Sequence, residues 1–193
     1  MARPKAFDRD AALQAAIEVF WAKGFAGAST DDLTAAMGIG RQSLYDTFGD
    51  KRRLYLEALA RYNTESVAGH LADLRSGSPA TEAIKALLLR FANEPEPRRV
   101  RGCMGVNAVC EFGQDPDVLA AARPSHDLLE GELVRLLQAG KADGEVAPSV
   151  DARSAARFIA ATLAGLKVQA KAGAPAETLR EIAGFAVDSL KPR

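Results

Sequence analysis

The run from Ser29 to Lys51 constrains this chain more than any other part of it, because it encodes two short helices and the corner between them without interruption. Ser29 or Thr30 can cap a helix whose first turn then carries Asp31 and Asp32, carboxylates suited to the positive end of the helix dipole. Leu33, Ala36 and Met37 recur at helical spacing and predict one buried stripe. Gly38 follows the last of them, where a left-handed backbone ends a helix and a side chain would cost energy. Ile39 fills the corner, and the chain restarts at Gly40 as a helix running to Phe48, with Leu44 and Phe48 inward. Arg41, Gln42, Ser43, Tyr45 and Thr47 are left outward. Such a helix-turn-helix lays its second helix in the major groove of DNA, where Arg matches guanine, Gln matches adenine, and hydroxyls reach phosphate or base. An ordinary surface hairpin is the competing reading of the same residues.

Composition narrows the class further. A chain of 193 residues can hold one large or two small domains and bury a real core. No apolar run approaches the roughly 18 residues of a membrane span, and no charged-then-apolar leader is evident, so a cytoplasmic location is expected. Two cysteines make no disulfide framework, which fits a reducing compartment. Lys and Arg number 25 against 25 Asp and Glu, and residues 1–62 hold nine basic against eight acidic side chains. The basic ones gather at Arg3, Lys5 and Arg9, at Arg41, and at Lys51, Arg52 and Arg53. One copy therefore offers a modest phosphate contribution, and specific DNA binding is expected to rely on two copies.

The remaining periodicities are helical, which predicts an all-α chain. A first helix over about residues 9–24 buries Leu13, Ala16, Ile17 and Phe20. Asp50 caps a long helix from Lys51 to about Arg75, and Ser76-Gly77-Ser78-Pro79 breaks it. A helix from Pro79 to about Asn93 ends in the linker Glu94-Pro95-Glu96-Pro97. Further helices are predicted near 102–112, from Asp115-Pro116 to about Ala139, and over about 151–171 and 175–190. Pro124 is expected to kink or split the second of these. Ala155, Phe158, Ile159, Thr162, Leu163, Leu166 and Ala170, with Ile182, Phe185, Ala186 and Leu190, give the last two helices broad apolar faces rich in small residues. They predict a four-helix bundle shared by two copies, with closure of the monomer's own core as the alternative.

Residues 1–62 resemble the DNA-binding domain of the TetR/AcrR family of one-component bacterial regulators. The likeness rests on the arm Arg3-Pro4-Lys5, on Phe20-Trp21-Ala22-Lys23-Gly24-Phe25, on the Ser29-Thr30 cap, and on Ile39 to Tyr45 continuing through Phe48-Gly49-Asp50-Lys51. It implies a three-helix DNA-binding domain over 1–62, then a larger helical bundle over 63–193 for effector binding and dimerisation. It further implies a homodimeric repressor that leaves a palindromic operator when a small molecule binds. Arg41 and Gln42 are then expected to read bases, Ser43, Tyr45, Thr47 and Lys51 to contact phosphates, Thr30 to assist, and Arg3 and Lys5 to form a minor-groove arm. No cofactor is expected.

Pocket candidates are the side chains from helices that should converge: Phe91, Met104, Asn107, Val109, Cys110, Phe112, His126, Leu129, Phe158 and Leu163, with plain core packing as their other reading. Asn107, an amide on a mainly apolar helix, must find a partner. Cys103 follows Gly102 at a predicted helix start, just after Arg98, Arg99 and Arg101, and dipole and cations both favour a thiolate. Arg101-Gly102-Cys103-Met104 also resembles the corresponding helix start of electrophile- and bleach-responsive members, which makes a thiol sensor the alternative mechanism. Cys110 lies seven residues on, at a spacing of about 10 Å that excludes a disulfide with Cys103 while the helix holds. His70 and His126 sit too far apart for a zinc pattern, and no glycine-rich oxyanion or phosphate loop accompanies Cys103, Cys110 and His126, so neither a metal site nor an enzyme is expected. A helical enzyme or ligand carrier is the distant alternative.

Overall fold

The computed structural model describes residues 7–192, and among them every regular element is a helix. α1 (Arg9–Gly27) opens on Asp8, whose carboxylate accepts from the backbone N–H groups of Asp10 and Ala11. Its helical geometry breaks at Gly24, where φ is 70° and ψ 179°. α2 (Thr30–Met37) starts with a reciprocal capping box: Asp32 donates its N–H to the Ser29 hydroxyl, and its carboxylate accepts from Ser29 N–H. It ends at Gly38, in the left-handed region as the sequence requires. α3 (Arg41–Phe48) and α4 (Lys51–Leu74) follow, the latter capped by Asp50.

These helices close a first core in which Phe20, Leu33, Leu44, Phe48, Leu54 and Leu59 are buried. Burial of each such side chain is worth about 1.5–3 kcal/mol, which fixes α3 against its neighbours through Leu44 and Phe48. Tyr55 lies at its centre, edge-on to Phe20 at 5.0 Å and to Phe25 at 5.2 Å. Ala36 does not join the buried stripe: it is exposed, because Leu33 and Met37, four apart, carry the contact of this two-turn helix alone.

The second core is built from α5 (Ala80–Ala92), α8 (Pro116–Ala142), α9 (Ala152–Lys171) and α10 (Ala176–Asp188), with the distal half of α4. α4 passes through both cores. α7 (Met104–Phe112) buries Met104 and Ala108 in the first core and also touches α8 and α9. The expected linker after α5 contains a single-turn helix, α6 (Glu96–Arg99), started by Pro95 and with Pro97 in its first turn, where a missing N–H costs nothing. α8 runs unbroken through Pro124, against the expected split. Pro124 is exposed, and so is Ala120, whose carbonyl loses its amide partner and can be hydrated instead. No described helix is long and apolar enough to cross a membrane.

Candidate nucleic-acid interface and linked pocket

α3 turns Leu44 and Phe48 inward and leaves Arg41, Gln42 and Tyr45 exposed, with Ser43 and Thr47 half-buried beside them. Both polar leaders of this face are engaged within the head itself. Arg41 donates from Nε and Nη2 to Asp31 Oδ1 at 3.1 and 2.7 Å, and Gln42 donates to Asp46 Oδ1 at 2.9 Å. The Arg41 and Asp31 side chains remain 64% and 74% exposed, so the pair is solvated, weak, and easily exchanged for another acceptor. Thr30 is the first residue of α2 and half-buried. Lys51, first in α4, holds its ammonium 4.4 Å from the centre of the Phe25 ring, a cation-π contact that fixes it near the end of α3. Arg3 and Lys5 lie outside the described residues.

Away from this face, α4, α7, α8 and α9 line a pocket of about 340 Å³ that is open to solvent on one side. Of the candidates, Cys103, Val109, Cys110, His126, Leu129 and Leu163 line it. Five others lie elsewhere. Met104 is 1% exposed within the first core, and Phe91 borders a neighbouring cleft with Trp21 and Tyr62. Phe112 packs against Tyr55 and Phe25, each at 5.3 Å, and Phe158 faces outward. Asn107 finds its partners on another side of α7, accepting from Lys171 Nζ at 2.9 Å and donating to the Arg101 carbonyl at 3.4 Å.

Two polar side chains outside the expected pocket set stand in the pocket wall. Lys167 and His70 are buried, and Lys167 Nζ lies 3.3 Å from His70 Nε2 and 3.8 Å from Cys103 Sγ. Burial, helped by the Lys167 charge, pushes the His70 pKa down to about 4, so the ring is neutral at neutral pH and its Nε2 accepts from the lysine. A signal for both was present. Lys167 follows Leu163 by four and precedes Ala170 by three, and His70 stands likewise between Val67 and Leu74, so each occupies a buried helical stripe. The arginines before Cys103 turn elsewhere: Arg98 and Arg101 lie over the Trp21 ring, and Arg101 pairs with Glu18 at 2.7 Å. The cation beside the thiol is Lys167.

α7 ties this pocket to the head. Before its first turn, Trp21 Nε1 donates to the Gly102 carbonyl at 3.1 Å. Near its last turn, the Glu111 carboxylate accepts from Phe25 and Ala26 N–H at 3.0 and 2.8 Å, satisfying the amides exposed by the Gly24 break. Arg52 of α4 binds Asp115 at 2.8 Å and Asp117 at 3.0 Å just beyond. Contacts at both ends of α7 thus hold it to α1, the one at Gly102 buried and the one at Glu111 charged.

The chain matches the family model for bacterial regulatory proteins of the tetR family over residues 12–58, and that for the tetracyclin repressor-like C-terminal domain over residues 80–184. It is 32% identical over 188 residues to the HTH-type transcriptional repressor ComR of Escherichia coli, covering 94% of this chain and 88% of that one. Similarity extends to the HTH-type transcriptional repressor BdcR of the same species, at 27% identity over 98% of this chain and 92% of that one. Among solved structures, a cysteine mutant of the TetR family transcriptional regulator CifR, complexed with 26-bp double-strand operator DNA, superposes with a TM-score of 0.75. It is 37% identical and covers 97% of this chain and 99% of its own.

Proposed function

Since this chain belongs to the TetR family and is a DNA-binding transcriptional regulator, we propose that it is a homodimeric cytoplasmic repressor released from a near-palindromic operator by a small effector. Residues 1–62 serve as the head and 63–193 as the effector and dimerisation body. The observation that carries the reading is α7, which lines the pocket while its ends hold α1. Arg41 and Gln42 exchange Asp31 and Asp46 for base edges. Ser43, Tyr45, Thr47 and Lys51 contact phosphates, with Thr30 assisting and Arg3 and Lys5 in the minor groove. Two recognition helices in one dimer reach half-sites about one helical turn or more apart.

Fluorescence anisotropy against DNA flanking the protein's own gene tests this directly. The wild type is expected to select one fragment and to leave it when effector is added. Arg41→Ala should lose discrimination at one base position, worth about 1–3 kcal/mol. Lys51→Ala should weaken all sequences alike and lower the salt slope by about one. Unchanged sequence preference in Arg41→Ala would reassign the reading face of α3.

A second reading is favoured by the place of Cys103 in the pocket wall beside Lys167: the thiol reacts with an electrophile or oxidant entering the pocket. Here Cys103→Ser should abolish operator release by an electrophile while leaving release by a reversible ligand intact. Persistence of electrophile-driven release in that variant excludes the thiol mechanism.

A further inference from the structure

We infer that the pocket between α4, α7, α8 and α9 takes a small, largely apolar carboxylate, with the Lys167 ammonium as its counter-ion. The inference rests on reading this pocket as the effector site and adds the ligand's chemical class.

Lys167 is only 9% exposed, and its two close polar neighbours, His70 Nε2 and Cys103 Sγ, carry no fixed negative charge to match it. Among the described residues lining the pocket there is no Asp or Glu, and none forms an ion pair with Lys167. A buried cation left in this state is costly, and a bound anion relieves the cost. Glu18, Glu65 and Glu94 border the adjoining cleft that the lysine also touches, yet none comes within ion-pair distance of it.

The unpartnered polar atoms of the pocket wall are donors, while the unpartnered acceptor Glu94 Oε2 borders the adjoining cleft and not this pocket. With His70 Nε2 accepting from Lys167, the ring proton sits on Nδ1, which is buried without a partner; Asn63 Nδ2 is buried without a partner too. A carboxylate brings two oxygens that only accept, which answers this surplus. Val67, Val106, Leu129 and Leu163 supply apolar wall for the rest of the molecule. One ammonium among such walls suits a monoanion with an apolar body, whereas a phosphate or dianion would carry uncompensated charge.

Isothermal titration of the full-length protein with 4-tert-butylbenzoate and its neutral isostere 4-tert-butylbenzamide tests the assignment. The wild type should bind the acid at least about tenfold more tightly than the amide, the scale of one charge-assisted contact. Lys167→Met should erase that preference while retaining amide binding, with its thermal unfolding confirming the fold. Equal affinities, or no binding of the acid, overturn the assignment from the wild type alone. Operator release is measured beside binding. Preferred binding of the acid without release supports the carboxylate site and overturns the effector reading. Release by the amide but not by the acid keeps the effector reading and overturns the carboxylate.

Discussion

Phe185→Asp is expected to convert the protein to monomers and to weaken operator binding by about a hundredfold or more, the scale on which linked half-site contacts exceed single ones. Phe185 is 79% exposed, and Ile182 on the same helix and Phe158 on α9 are also exposed large apolar side chains. The opposite side of α10, with Leu179, Ala183, Ala186 and Val187, already fills the monomer core. Both readings of these helices thus have material to work with: one face closes the subunit and the other remains for a partner. In a two-fold interface each substitution occurs twice, so two phenyl burials of about 1.5–3 kcal/mol each disappear together. Two carboxylates would also enter an apolar interface without counter-ions. Light scattering after size exclusion reads the mass, and anisotropy reads the affinity. The melting temperature of the subunit should change little, because Phe185 lies outside its core. A variant that stays dimeric would move the interface away from α10.

Acid should destabilise the fold through His70 before the carboxylates contribute. The ring titrates near 6.5 in an unfolded chain and near 4 in the fold, so between these values the unfolded state holds the extra proton. Stability therefore falls as pH drops from about 6.5 towards 4, by about 3 kcal/mol when the window has been crossed. Glu132 has a different window. Arg135 and Arg75 hold its carboxyl down to about 2, and its contribution is kept above the ordinary value of 4.5 and lost only below it. Urea unfolding at pH 7.5 and at pH 4.5 isolates the histidine, and His70→Gln should remove most of the difference between the two. An equal loss of stability in His70→Gln would refute the assignment.

The head was readable in the sequence because its signals are local. Ser29, Asp32 and Gly38 act within a few residues of where they stand, and Leu44 and Phe48 declare the inner face of α3 by spacing alone. Even there, the helix-dipole role expected of Asp31 misses that its side chain reaches Arg41, as Asp46 reaches Gln42. The pocket was less legible, because convergence of helices is not a local property. A lysine in a helix usually marks the solvated side, so Lys167 was passed over although its spacing from Leu163 and Ala170 placed it inward. Met104 and Phe112 are pocket candidates because their helix is expected to converge with others there. Their positions on α7 turn them towards the head, a distinction that depends on where α1 and α4 lie. Pro124 shows the opposite case: the helix is not split there, because the freed carbonyl of Ala120 is exposed to water.

The arrangement of α7 separates two duties along nine residues. Val106, Val109 and Cys110 meet the pocket, while Gly102 just before the helix and Glu111 in its final turn grip α1. Substitutions on the middle turns can alter which molecule is admitted and leave the grips untouched. On the proposed function, a regulator built this way can acquire a new inducer without having to reinvent the linkage by which any inducer is heard.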